Sequence, residues 1–148
     1  MPAKFYIQDV KTDLKNKREL SIFLDGLVRR HLTWVRTVHL NYVFCSDDYL
    51  LHINKEFLDH DTYTDIITFN LSEKENELSG EIYISEDRVR ENAEKFITSY
   101  NQELHRVIFH GALHLCGFKD KKETDKKEMR HQENLCLKEY FKKELNAD

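Results

Sequence analysis

The segment Ile66-Ile-Thr-Phe-Asn-Leu-Ser-Glu-Lys-Glu-Asn-Glu-Leu-Ser-Gly-Glu-Ile-Tyr-Ile-Ser85 decides the fold class. Ile66 to Phe69 are β-branched or aromatic and read as a strand. The charged run around Ser72–Leu78 closes it, and Gly80 to Ser85 reads as a second strand. So short a link makes the two strands antiparallel neighbours. Outward from this pair, helical patterns dominate. Leu20, Phe23, Leu24, Leu27 and Val28 recur at helical spacing and predict an amphipathic helix over about 16–32. Val38, Leu40, Tyr42 and Phe44 alternate with polar residues and predict a strand over 35–45 with one covered face. Lys4 to Gln8 reads as a further short strand. Ser46 offers a cap oxygen for a helix running to about Phe57, with Asp47 and Asp48 at its positive end. The stretch from Asp59 to Tyr63 reads as a polar loop. Ser85 caps a helix whose expected buried stripe is Val89, Ala93, Phe96, Ile97 and Tyr100. A helix over about 102–116 follows. A charged helix over 123–145 comes last, with Met129, Cys136, Tyr140 and Phe141 inward. Four strands, five helices and an antiparallel pair make the class α+β.

The chain has 148 residues, 40% hydrophobic and 34% charged, with one Pro and four Gly. No linker, repeat or composition break divides it, so a single domain over 1–148 is expected. A chain of this length buries about two thirds of its unfolded surface, enough for a real core. The net charge of −4 excludes a polycation held on nucleic acid by bulk charge. Any RNA contact must come from a local patch. No stretch approaches the roughly 20 apolar residues of a membrane span. The start carries no apolar signal core, so a cytoplasmic location is expected. The three cysteines form no C-x-x-C pair and read as buried free thiols in a reducing compartment.

Chemistry concentrates in Val107-Ile-Phe-His-Gly-Ala-Leu-His-Leu-Cys-Gly-Phe-Lys-Asp120. His110 and His114 are four apart, roughly 40° around a helix axis and one turn up. Both imidazoles can then meet one ion. Gly117 suits the left-handed residue that ends a helix, and Asp120 follows that turn as a third donor. Two histidines on one helix face plus a ligand after a Gly turn is the layout of a three-ligand zinc site with an open position. The surrounding apolar residues make two unpartnered imidazoles costly to bury, and a metal satisfies both. A chance pair of histidines remains the plainer alternative; the Gly turn and Asp120 favour the metal without deciding it.

His110-Gly-x-Leu-His114-Leu-x-Gly117-Phe-x-Asp120 resembles the H-G-x-L-H-L-x-G-[FY]-x-H signature of the YbeY-type endoribonucleases, a bacterial ribosomal-RNA maturation family. Two further blocks agree in order. Asn54-x-x-Phe57 with Tyr63-Thr-Asp-Ile-Ile-Thr-Phe69 resembles the family's N-x-x-[YF]-R…P-T-D-V-L-S-F segment. Gly80-Glu-Ile resembles its G-[DE]-I strand. The resemblance implies an α+β domain with a small mixed sheet and one Zn2+ held by His110, His114 and Asp120. It also implies metal-dependent hydrolysis of single-stranded RNA, in 16S rRNA 3′-end maturation and ribosome quality control. RNA and the ribosomal subunit are then the expected partners. Two departures stand out. Asp120 replaces the usual third histidine; carboxylate is an acceptable zinc ligand, but it lowers the net charge of the site from +2 to +1 and favours harder ions. Leu58 stands where the family usually has an Arg suited to phosphate.

Lys119 and Arg88 are the candidate RNA-contacting cations, weighed against plain solvated surface. No general base is assigned. Asp65 and Glu81 lie in matching blocks, with turn and strand-edge roles as the simpler reading. Tyr63 is a candidate base platform, and His60 a candidate cleft residue. Two other readings use the same residues: a zinc peptidase-like hydrolase, weakened because Gly rather than Glu follows His110, and a ribosome-associated binding module whose metal is structural.

Overall fold

The computed structural model describes residues 1–60 and 63–145. Part of the polar loop expected over 59–63, residues 61 and 62, therefore lies outside the described residues, as do residues 146–148. In chain order the elements are β1 (Ala3–Ile7), α1 (Lys17–His31), β2 (Thr37–Cys45), α2 (Asp47–Leu58), β3 (Ile66–Asn70), β4 (Glu77–Ser85), α3 (Glu86–Lys95), α4 (Tyr100–Leu115) and α5 (Glu123–Leu145).

The sheet has the order β1-β2-β4-β3. β3 and β4 pair antiparallel, as their short link requires. β1 and β2 are parallel, and so are β2 and β4. Each parallel pair is joined by a crossover that contains a helix. The result is a mixed four-strand sheet with five helices in one α+β domain. On β2 the alternation is realised residue by residue: Val38, Leu40, Tyr42 and Phe44 are all buried in the main core. That core also takes Leu20, Leu24, Leu27 and Val28 of α1 and the apolar face of α4 from Leu104 to Leu115. A smaller core of Cys45, Leu50, Ile53 and Ile67 seals α2 onto β3 and β4.

Serine caps set three helix starts. Ser46, Ser85 and Ser99 accept from the backbone N–H groups of Tyr49, Arg88 and Gln102. The third cap explains one departure from the expected pattern. α3 ends at Lys95 rather than running through to Tyr100, because Ser99 opens α4. Ile97 therefore sits in the joint with φ +53° and is 94% exposed. Phe96 is also exposed, so neither residue belongs to a buried stripe. The second departure is in β4, which starts at Glu77: the residues read as the end of a charged turn pair with Thr37, Val38 and His39 of β2.

Helix α4 carries the histidine motif and is clamped to the sheet at two points. The buried Tyr42 hydroxyl donates to the Ile108 carbonyl at 2.8 Å. Gly111 lies against the sheet, where a Cβ would stand 2.8 Å from Ile82 Cγ2 and 3.1 Å from Ile66 Cδ1. The missing side chain at Gly111 thus lets α4 seat closely on β3 and β4.

Candidate active site

The end of α4 is built to turn the chain back toward its own histidines. Gly117 has φ +106°. Its N–H bonds the His114 carbonyl at 3.0 Å, and the Phe118 N–H bonds the Leu113 carbonyl at 3.1 Å. These are the two bonds of a Schellman motif, which needs a left-handed residue at Gly117. The turn delivers Asp120 beside α4: its Oδ2 is 3.2 Å from His110 Nε2.

The other ring nitrogen of His110 is occupied. Nδ1 lies 2.6 Å from Glu133 Oε2. Glu133 is only 1% exposed, and a buried carboxylate needs partners to stay charged. It has them: Arg106 Nη1 is 2.9 Å from Oε1, and Arg106 also grips the buried Glu103. Burial pushes the Glu133 carboxyl upward, but His110 and Arg106 outweigh it, so its pKa falls below the usual glutamate value. Glu133 is therefore ionised and can only accept, which makes Nδ1–H the donor. The lone pair of neutral His110 then sits on Nε2, facing Asp120. Burial also works against a charged His110, yet Glu133, Asp120 and Asp65 together raise its pKa.

The donor set and one distance fit a divalent ion. Two neighbouring donors of a tetrahedral zinc lie about 3.3 Å apart when each bond is about 2.0–2.1 Å. The His110–Asp120 separation is close to this, and it is also that of an ion pair between the two groups. A hydrogen bond from the far nitrogen of a ligating histidine to a carboxylate is also the usual support for such a ligand. The third expected donor is not gathered with the other two. His114 is exposed, and its ring lies parallel to that of His110, centroids 6.4 Å apart. Among the described residues no three His, Cys, Asp or Glu stand close enough to hold an ion. The cause is tertiary: Glu133 of α5 locks the His110 ring, while His114 faces a different cavity.

That second cavity lies between α2 and β3. Asn54, Leu58, His60, Tyr63, Thr68 and His114 are among its lining residues. His60, a candidate cleft residue, and Tyr63, a candidate base platform, both line this cavity. Arg88, a candidate RNA contact, has its Nε 3.1 Å from Asp47 Oδ1 and its guanidinium over the Tyr63 ring. Lys119 is exposed beside Asp120. Glu81 accepts from the Tyr83 hydroxyl at 3.3 Å. Asp65 accepts the Ser85 N–H through its backbone carbonyl.

Comparison with known proteins decides the family. The model of the family described as Endoribonuclease YbeY matches residues 6–141. The chain belongs to the YbeY endoribonuclease family. An Endoribonuclease YbeY of Cytophaga hutchinsonii is 44% identical over 133 residues, 90% of this chain and 92% of the relative. One from Parabacteroides distasonis is 42% identical over 93% of this chain and 94% of its own. A Thermotoga maritima protein of known solution structure is similar across 98% of this chain and 93% of its own, with a TM-score of 0.63 and 27% identity.

Within this YbeY-family site, Glu133 is the residue that reading for motifs misses. The signal was present. Met129, Cys136 and Tyr140 mark the inward stripe of α5, and Glu133 falls on the same stripe at i+4 from Met129. An acid on a buried helical stripe asks for buried partners, and Arg106 and the His110 ring are those partners.

Proposed function

We propose that this endoribonuclease holds one divalent cation, Zn2+, through His110, His114 and Asp120, and hydrolyses single-stranded ribosomal RNA within the ribosomal subunit. The observation that carries the reading is the 3.2 Å approach of His110 Nε2 to Asp120 Oδ2, with Nδ1 tied to a buried glutamate. A bound cation supplies Lewis-acid polarisation of a phosphoryl oxygen and acidification of water. The chain's own residues do the rest. Glu133 holds the Nδ1 proton and so keeps the Nε2 lone pair in place. Arg106 and Glu103 hold Glu133. Asp120 adds a hard, charged donor, which lowers the net charge of the site and widens its choice of ion. His114, which lines the cavity that borders β3, would supply the third donor. The three unpaired cysteines suit a reducing, cytoplasmic compartment.

The test is elemental analysis of the native protein beside Asp120→Asn, with cleavage of a single-stranded RNA by His114→Ala as its companion. We expect one divalent ion per chain, weakened by Asp120→Asn, and no cleavage above background by His114→Ala. A metal-free native protein, or undiminished cleavage by His114→Ala, overturns the reading.

A further inference from the structure

The cavity beside His110 and Asp120 has a volume of about 260 Å3 and opens between α4 and α5. Three cations line it, and they are not equivalent. Arg106 is 12% exposed and ion-paired to two carboxylates, Glu103 and Glu133, each 2% exposed. Its charge is more than balanced, so Arg106 is structural. Arg130 is different. It is 53% exposed, and its ion pair is a 3.9 Å approach to Glu133 Oε1, an oxygen that Arg106 already holds at 2.9 Å. Lys126 is exposed, and its partner Glu123 is a surface residue 3.7 Å away. Such contacts are weak and readily exchanged.

Lys126 and Arg130 are four residues apart, on one face of α5 and in neighbouring turns. Glu133 continues that face one turn on and reaches His110. The three side chains thus share a stripe that runs alongside His110 and Asp120. An arginine there can fork two oxygens of a phosphate, and the lysine adds a point charge. The cavity beside His114 has no Lys or Arg among the described residues that line it, and the nearby Arg88, over the Tyr63 ring, is paired to Asp47.

We infer that Lys126 and Arg130 hold a backbone phosphate of the RNA, so that the strand's phosphates pass on the α5 side of the histidine pair. The inference rests on the endoribonuclease reading but is tested by binding rather than cleavage. The probe is a fluorescein-labelled single-stranded 2′-O-methyl RNA, which keeps its phosphates and resists cleavage. Affinity is measured by anisotropy from low to moderate salt for the wild type, Lys126→Gln/Arg130→Gln, and Lys15→Gln/Lys17→Gln. The last pair removes the same charge near the N-terminal end of α4, where Lys15 and Asn101 line another cavity, roughly 15 Å along the helix from His110.

The α5 pair is expected to lose about tenfold in affinity at moderate salt. The slope of log K against log salt should fall by about 0.7, the value for one phosphate contact on a single strand. The Lys15/Lys17 pair should lose less than twofold. Lys126→Arg/Arg130→Lys keeps both charges and should keep the slope, which separates lost contact from lost folding. An unchanged slope in the α5 pair overturns the inference, and so does an equal loss in both pairs. Cleavage that survives metal removal leaves the salt slopes untouched and counts against the metal reading alone.

Discussion

The two cavities that meet at the end of α4 differ in kind. The one on the His110 side lies between two helices and is lined by charge: three cations, Asp120 and the buried Glu133. The one on the His114 side lies between α2 and the outer strand β3 and is lined by Asn54, Leu58, His60 and Tyr63, without Lys or Arg among its described residues. A nucleotide has the same two faces, an anionic backbone and a flat, nearly neutral base. Phosphate contacts give salt-dependent affinity, and aromatic stacking gives affinity that salt scarcely alters. On the proposed reading, phosphate positioning and base contact fall to different elements on either side of one pair of histidines.

The largest expected effect is at the junction. His110→Ala removes the donor held between Glu133 and Asp120 and is expected to abolish both ion binding and RNA cleavage, read by elemental analysis and a gel assay. Glu133→Gln is gentler and sharpens the comparison. It keeps the shape but replaces the buried charge that fixes the His110 tautomer. Loss of such support typically costs about 10–100-fold in metal affinity. Competition with a chelating dye checks this, and the Tyr63 side should be unaffected.

Much of this arrangement was legible in the sequence, and the remainder failed for a definite reason. The stripe of α1 and the alternation of β2 report burial directly, so Leu24 or Tyr42 could be placed without coordinates. Gly117 and Asp120 were legible because a left-handed turn is a local, sterically decided event. The ring orientations of His110 and His114 were not. They depend on Glu133, 23 residues further on, in a helix so rich in charge that one buried acid does not stand out. The end of α3 was misread because Phe96 and Ile97 continue an apolar spacing, while the competing signal, the Ser99 cap, is a single residue. Family resemblance pointed to three donors. Which two lie in contact was a matter of tertiary packing.

Each cavity takes one histidine from α4, which is seated on β3 and β4, and Gly111→Ala tests that seat. The added methyl would stand 2.8 Å from Ile82 Cγ2. Overpacking of this sort costs about 1–3 kcal/mol, and the melting temperature should fall by about 2–4 °C per kcal/mol. The His114-side cavity is probed by Tyr63→Ala. The ring is 49% exposed with a guanidinium at its face, and losing one base stack costs about 1 kcal/mol at the low end. RNA affinity should fall about fivefold with an unchanged salt slope, the reverse of the pattern expected for Lys126 and Arg130. A slope that falls with Tyr63→Ala would break the division between the two sides.

The contrast should end at the surface, and alkaline titration tests that. Cys45 lies in the small core under α2, on the His114 side; Cys136 lies in the main core under α5. Burial is the first cause in both cases, and it pushes each thiol up to about 12. An unfolded cysteine ionises near 8.5. A raised folded pKa means that the stabilisation is fully present below the unfolded value and is lost as pH rises through the folded one. Stability should therefore hold up to about pH 8.5 and decline progressively from there toward pH 12, as denaturant midpoints will report. Because the thiolate is the nucleophile, iodoacetamide at pH 8 should label neither Cys45 nor Cys136 in the native protein, and both once it is unfolded. Faster labelling of one than the other would show that the two sides differ in their interiors as well, with one core admitting water where the other does not.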